Sequence, residues 1–140
     1  MNSNSTPISI STFVNLPIEI VWKVWIRPVH IKKWNNASLD WYTPFAKNDL
    51  KVGGKFNYRM EARDGSFGFD FEGKYLEVEL EKLISYQLED GRKVRVKFEK
   101  EGTGVRLIEI FEPENENPIE LQLQGWQAIL DNFKRYCEAL

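Results

Sequence analysis

Apolar residues recur at spacings of three and four residues over the last part of the chain, residues 118–140. This spacing places their side chains on one face of a helix. Because the stripe contains a tryptophan and a phenylalanine, it predicts a long amphipathic helix that packs on a large apolar surface. The stripe consists of Ile119, Leu123, Trp126, Ile129, Leu130, Phe133, Cys137 and Leu140.

An alternation of apolar and polar residues predicts β-strands over residues 54–111. The clearest example is the segment 56–63, in which aromatic and apolar side chains alternate with charged and polar ones. Asp-Gly pairs at residues 64–65 and 90–91 are typical of tight hairpin turns. Consecutive strands with tight turns predict an antiparallel meander. A shift in the alternation predicts a β-bulge or a sharp bend near residues 73–75.

The first part of the chain predicts one strand and two short helices. Alternation over residues 8–14 indicates the strand, and Pro17 and Pro28 suit the first positions of the helices. We expect a short strand at residues 39–42 and then an irregular loop. Residues 1–7 are predicted to form a disordered leader, and residues 8–140 a single domain.

The composition predicts a globular protein in a reducing compartment. The chain has 140 residues and a net charge of -2, with basic and acidic residues interspersed. This balance argues against a nucleic-acid partner and against a polybasic membrane patch. The single cysteine, Cys137, cannot form an intramolecular disulfide. Because the sequence shows no signal peptide and no stretch of ~20 apolar residues, we expect no membrane span and a cytoplasmic location.

Four stretches of the chain resemble a known superfamily. They are PIEIVWKVW with HIKKW, LKVGGKFNYRMEARDG, FEGKYLEVELEKLISYQ, and GWQAILDNFKRYCEAL. In this order they are similar to the START-like, helix-grip superfamily. Within it, they are most similar to relatives of the C-terminal domain of the activator of the heat-shock-protein-ninety ATPase. The third stretch departs from the family's usual form, because Glu81 and Lys82 stand where a Pro-Glu-Arg-type turn is expected.

The resemblance implies an α+β helix-grip fold. A curved antiparallel β-sheet would grip a long C-terminal helix, and two short helices would follow the first strand. It also implies a cavity between the helix and the sheet. In the superfamily, this cavity holds lipids, polyketides, hormones or other apolar molecules.

Aromatic side chains from several predicted elements are the candidates for lining this cavity. Large rings that close a sheet against a helix are also the normal contents of a filled core, so both alternatives remain open. The hydroxyl groups of the tyrosines and the indole N–H would need hydrogen-bond partners if buried. The candidate cavity residues are Trp34, Phe56, Tyr58, Phe69, Phe71, Tyr86, Trp126 and Phe133.

No catalytic residue, metal site or cofactor is predicted. His30 is the single histidine and has no acidic neighbour in sequence, which favours a surface or helix-capping role. Cys137 lies on the apolar stripe and is expected to be a buried, inert thiol. Arg59 and Glu61 alternate with ring residues, so they are expected to face solvent.

Three functions are compatible with these patterns. We favour the binding of a small hydrophobic molecule in the cavity, without catalysis. The first alternative is a co-chaperone-like interaction module, with a chaperone as partner, and it depends on the resemblance alone. The second is an enzyme of the cyclase or hydrolase type, which would require an inward-facing acid–base group with a perturbed pKa.

Overall fold

The structure is a computed structural model and describes residues 6–140. Residues 1–5 of the predicted leader lie outside the described residues. Seven strands and three helices follow one another in the described chain. They are β1 (Ile8–Val14), α1 (Ile18–Ile26), α2 (Pro28–Trp34), β2 (Trp41–Asn48), β3 (Lys55–Ala62), β4 (Gly68–Glu79), β5 (Leu83–Leu88), β6 (Lys93–Glu101), β7 (Gly104–Phe111) and α3 (Ile119–Glu138).

All seven strands form one antiparallel sheet in the order β1-β7-β6-β5-β4-β3-β2. Strands β3 to β7 form the predicted meander, and β2 extends it by one strand at the edge. The first strand pairs with the last one, from Ile8 opposite Phe111 to Val14 opposite Val105. Helices α1 and α2 therefore connect the two opposite edges of the sheet, and α3 lies against its curved face. This arrangement confirms the predicted helix-grip fold.

Helix α3 buries its C-terminal half most deeply. Leu130, Phe133 and Cys137 are buried, as the apolar stripe predicts. The prediction is wrong at the ends of the stripe, because Ile119, Leu123 and Leu140 are 51%, 36% and 65% exposed.

The rotation of the helix explains the exposure of Leu123. Gln122 precedes Trp126 by four residues and takes the inward position on this turn. A residue that follows it lies about 100° further round an α-helix, which turns Leu123 away from the sheet. Leu140 lies beyond the end of α3.

Strand β2 differs from the predicted short strand and loop. It extends over Trp41–Asn48, with a shift in its pairing to β3 between Tyr42 and Phe45. Pro44 lies within this irregularity. Because β2 is an edge strand, a residue without an N–H is tolerated there. In β4, the pairing shifts between Tyr75 and Glu77, so the bulge begins at the last residue of the predicted segment.

Gly104, the first residue of β7, packs closely against the end of β1. An added Cβ would collide with the carbonyl oxygen of Val14 and would lie 2.6 Å from Cζ of Phe13. We expect Gly104→Ala to lower the free energy of unfolding by about 1–3 kcal/mol, because β1 must move away from β7. Urea denaturation measures the change.

The matched control is Gly125→Ala, within α3. A Cβ at Gly125 meets no atom within 4 Å. In a helix interior, this replacement raises stability by roughly 0.5–1 kcal/mol. Opposite signs are therefore expected for the two variants, and a Gly104→Ala protein as stable as the parent chain would contradict the packing described for β1 and β7.

Candidate functional site

A cavity of about 250 Å³ lies between the curved face of the sheet and α3. Strands β3, β4 and β5 supply most of its aromatic wall, and α3 covers it with Trp126 and Ile129. Phe69, Arg92 and Glu114 also line it and are exposed or half-exposed, so part of the wall lies at the protein surface.

Seven of the eight predicted residues line the cavity, and one does not. The seven are Trp34, Phe56, Tyr58, Phe69, Phe71, Tyr86 and Trp126. Phe133 instead belongs to the solid core, with its ring centroid 4.9 Å from those of Trp25 and Trp34. The half of α3 that carries Phe133 packs against rings from α1 and α2, which leave no space there. Beside Trp126, the corresponding space is open.

The roof of the cavity is held by aromatic packing. The ring of Trp126 stacks on Phe111 at a centroid distance of 4.2 Å and an interplanar angle of 6°. The same tryptophan forms an edge-to-face pair with Phe71 at a centroid distance of 6.1 Å. Because contacts on both sides determine its position, Trp126 offers a fixed apolar surface to the cavity.

The floor of the cavity is a cluster of rings around Phe56. Centroid distances from Phe56 are 4.9 Å to Tyr58, 4.8 Å to Tyr86 and 5.4 Å to Tyr75. Such edge-to-face and tilted contacts stabilise aromatic pairs beyond their simple burial. The floor is therefore preformed and mainly apolar.

Three tyrosine hydroxyl groups belong to this cluster. The hydroxyl of Tyr75 donates a hydrogen bond to Oδ1 of Asn48. Burial raises the pKa of Tyr58 and of Tyr86 well above the ordinary value of 10.0. Their hydroxyl groups therefore remain protonated and keep a proton to donate. Trp34 contributes only its ring, because its Nε1–H donates to the carbonyl oxygen of Val24 at 2.9 Å.

Glu109 lines the cavity, although the sequence patterns did not identify it as a candidate. It lies on β7 and is 6% exposed. Burial raises the pKa of its carboxyl group from 4.5 to about 8. The strand alternation contains a clue to this position, because Glu109 has the same parity as Leu107 and Phe111, which both face inward.

Within residues 6–140, no hydrogen bond or ion pair engages the Glu109 carboxyl group. Most buried polar groups have such a partner. In the sheet, Glu109 lies beside the apolar residues Val96 and Ile10. Burial is the main cause of the raised pKa of Tyr86, and the charge of Glu109 contributes to it; both residues line the cavity.

Hydrogen bonds order the polar side chains at the edge of the cavity. Nε2 of Gln122 donates to the carbonyl oxygens of Glu114 and Asn117 at 3.0 and 2.8 Å, and Oε1 accepts from the Glu114 amide at 2.9 Å. Arg92 is held by Asp90, with an Nε–Oδ2 distance of 2.8 Å. The Gln122 hydrogen bonds fix the connection that leads into α3.

The other residues considered from sequence lie away from the cavity lining. Nδ1 of His30 hydrogen-bonds with the hydroxyl of Tyr136 at 2.7 Å, and burial and nearby basic residues lower its pKa. Burial raises the pKa of the Cys137 thiol to about 12, so the thiol stays protonated. Arg59 and Glu61 form a partly exposed ion pair, with an Nε–Oε2 distance of 3.0 Å.

Residues 6–140 contain no group of three or more His, Cys, Asp or Glu side chains arranged to hold a metal ion. In the same residues, no helix combines the length and the apolar character needed to cross a membrane.

Comparison with protein families gives a match over most of the chain. The model of the family described as Activator of Hsp90 ATPase homolog 1-like protein matches residues 15–138. A search among curated proteins finds no match.

Solved structures include two relatives of high identity. The solution structure of the AHSA1-like protein from Aeromonas hydrophila is 46% identical, with a TM-score of 0.90 over 96% of this chain and 93% of that one. A protein from Cytophaga hutchinsonii is 50% identical, with a TM-score of 0.83 over 94% and 92% of the two chains. A protein from Nitrosomonas europaea, 18% identical with a TM-score of 0.84 over 99% and 98%, shares the fold.

Proposed function

Because this chain belongs to the family of Activator of Hsp90 ATPase homolog 1-like proteins, we propose that it binds a small hydrophobic molecule in the cavity between α3 and the sheet. The family membership confirms the resemblance found in the sequence. The fold of the family supports a ligand-binding or interaction module in general. The observation that carries the specific proposal is the preformed, ring-lined cavity.

The size of the cavity limits the size of the guest. Its volume of about 250 Å³ is just below the roughly 300–1,000 Å³ of common ligand pockets. A guest that buries roughly 200 Å² of apolar surface gains about 5 kcal/mol at ~25 cal/mol per Å². The costs of association reduce this gain. We therefore expect one or two fused rings as the guest, bound with micromolar or weaker affinity.

Filling the cavity should prevent binding. Ile129 lies in the roof, and we expect Ile129→Trp to weaken binding of propylnaphthalene at least about tenfold, because the indole occupies the space of the guest. The control is Leu121→Trp on the same helix, where the parent leucine is 55% exposed and lies outside the lining. Ligand-detected NMR measures the affinity of both variants and of the parent chain for propylnaphthalene. Absence of binding to the parent chain, or equal binding to both variants, would refute the proposed function.

The two alternatives have different requirements. A chaperone partner is suggested by the family description alone, and an unchanged chaperone ATPase rate in the presence of this protein would remove it. Glu109 has the inward position and the raised pKa that an enzyme would require. Binding requires less of the site, namely an apolar cavity with one polar anchor, so binding is the function that we propose.

A further inference from the structure

Glu109 is an inward-facing residue whose carboxyl group borders an otherwise apolar part of the cavity, and no group of residues 6–140 hydrogen-bonds with it. It is 6% exposed, and its neighbours in the adjacent strands are Val96 and Ile10. A carboxyl group that no protein group engages must take its hydrogen-bond partners from the cavity, either from water or from a guest. A structural role normally supplies the bond within the protein. Here the protein leaves the carboxyl group free, on the wall of the cavity.

The surroundings of Glu109 identify the kind of group that would satisfy it. Strand β7 spaces Glu109 and Phe111 by two residues, about 7 Å along the same face, and Trp126 stacks on Phe111. Ring faces carry negative electrostatic potential and attract cations within about 6 Å. A carboxyl group in a cavity lined mainly by aromatic rings therefore favours a cationic group over an anionic one.

The remaining charged groups leave this position available. Arg92 is engaged by Asp90, and burial is the only cause of the raised pKa of Glu109, so no basic side chain lowers it. The lining residues of α2 and α3 carry no titratable group. The titratable residues that share the cavity with Glu109 are Tyr58, Tyr75, Tyr86, Arg92 and Glu114.

We propose that the guest of the cavity is an apolar, ring-containing molecule with one basic amino group, whose ammonium pairs with the carboxylate of Glu109. This inference rests on the proposed function and assigns its ligand class. The rings of the guest contact the floor around Phe56 and the roof formed by Trp126. The ammonium supplies the hydrogen-bond donors that Glu109 lacks, and the pair is charge-assisted.

The pairing releases a proton. Below about pH 8, the carboxyl group of the empty cavity is protonated. On binding, its O–H bond breaks, the proton passes to solvent, and the resulting carboxylate accepts hydrogen bonds from the ammonium, which entered already protonated. Raising the pH from 6 to 8 therefore strengthens binding of an amine by up to about tenfold per pH unit, until Glu109 is ionised in the free protein.

The test compares two probes of the same shape. Naphthylethylamine carries the ammonium, and propylnaphthalene replaces that nitrogen by carbon. In Glu109→Gln, we expect the affinity for the amine, relative to that for propylnaphthalene, to fall at least about tenfold. Glu99→Gln, an exposed carboxylate on β6, is the control for net charge and should leave this relative affinity unchanged.

Calorimetry in buffers of different ionisation enthalpy provides a second test, because it measures the number of protons released on binding. The parent chain should release close to one proton on binding the amine at pH 7, and Glu109→Gln should release none. A merely structural role of Glu109 does not produce this difference. Proton release that persists in Glu109→Gln would contradict the inference.

The outcomes separate the inference from the proposed function. Binding of propylnaphthalene without preference for the amine overturns the amine assignment and leaves the proposed function intact. A preference for the amine that is equal in the parent chain and in Glu109→Gln also overturns the assignment. If neither probe binds, both proposals fail for guests of this size.

Discussion

Replacement of Phe133 by alanine is expected to lower the free energy of unfolding by about 3–5 kcal/mol. The side chain is fully buried, and its ring contacts those of Trp25 and Trp34 at centroid distances of 4.9 Å. Removal of the ring leaves a void among large rigid side chains, which cannot all move to close it. Urea denaturation followed by tryptophan fluorescence measures the loss.

The control for this variant is Leu121→Ala, on the same helix. Leu121 is 55% exposed, so its truncation should change stability by no more than about 0.5 kcal/mol. A loss of less than about 1 kcal/mol for Phe133→Ala would show that the C-terminal half of α3 does not pack as described.

A second large effect is expected in the pH dependence of stability, through Glu109. The carboxyl pKa is raised by burial from 4.5 to about 8 in the folded protein. Below about pH 4.5 the group is protonated in both the folded and the unfolded chain, so stability does not change with pH through this group. Between about pH 4.5 and 8, the unfolded chain releases the proton more readily than the folded chain. Stability contributed by the protonated group is therefore lost as the pH rises.

The size of this effect follows from the two pKa values. One pKa unit corresponds to about 1.4 kcal/mol. The rise in pKa from 4.5 to about 8 therefore limits the loss in free energy of unfolding to the order of 5 kcal/mol. Glu109→Gln removes the titration, so it should gain stability relative to the parent chain as the pH increases across this interval. Chemical denaturation of both proteins at pH 5, 7 and 8.5 measures the difference.

Comparison with the variant is essential because other carboxyl groups act in the opposite direction. Hydrogen bonds to Arg106 lower the pKa of Glu101, and hydrogen bonds within its loop lower that of Glu114. These groups stabilise the folded chain as the pH rises through the acid range. A constant difference in stability between the two proteins from pH 5 to 8.5 would show that Glu109 is not buried as described.

Local patterns predicted most of the elements correctly. The alternation over residues 56–63 became β3, and the two Asp-Gly turns contain Gly65 and Gly91 with φ values of 79° and 95°. These features depend on neighbours along the chain. The resemblance to helix-grip proteins added the order in which the elements pack.

The errors occur where a pattern leaves a choice between neighbours. With spacings of three and four residues, either Leu123 or Gln122 could occupy the inward position on the same turn. In the structure, Gln122 is the buried residue. Phe133 and Trp126 lie two helical turns apart on one face, yet Trp126 lines the cavity and Phe133 fills the core. The parity of Glu109 on β7 predicts its inward position, although an inward carboxyl group conflicts with the usual cost of burial.

The sequence by itself determined the strands, the turns, the closing helix and the aromatic character of the interior, because periodicity and turn chemistry act over a few residues. Only the tertiary structure decided that the rings leave a space of about 250 Å³. It also decided that Glu109 lines this space without a hydrogen-bond partner among residues 6–140. Both outcomes depend on how closely α3, α2 and the sheet approach one another. That separation is set by the packing of side chains far apart in the chain, and no local pattern records it.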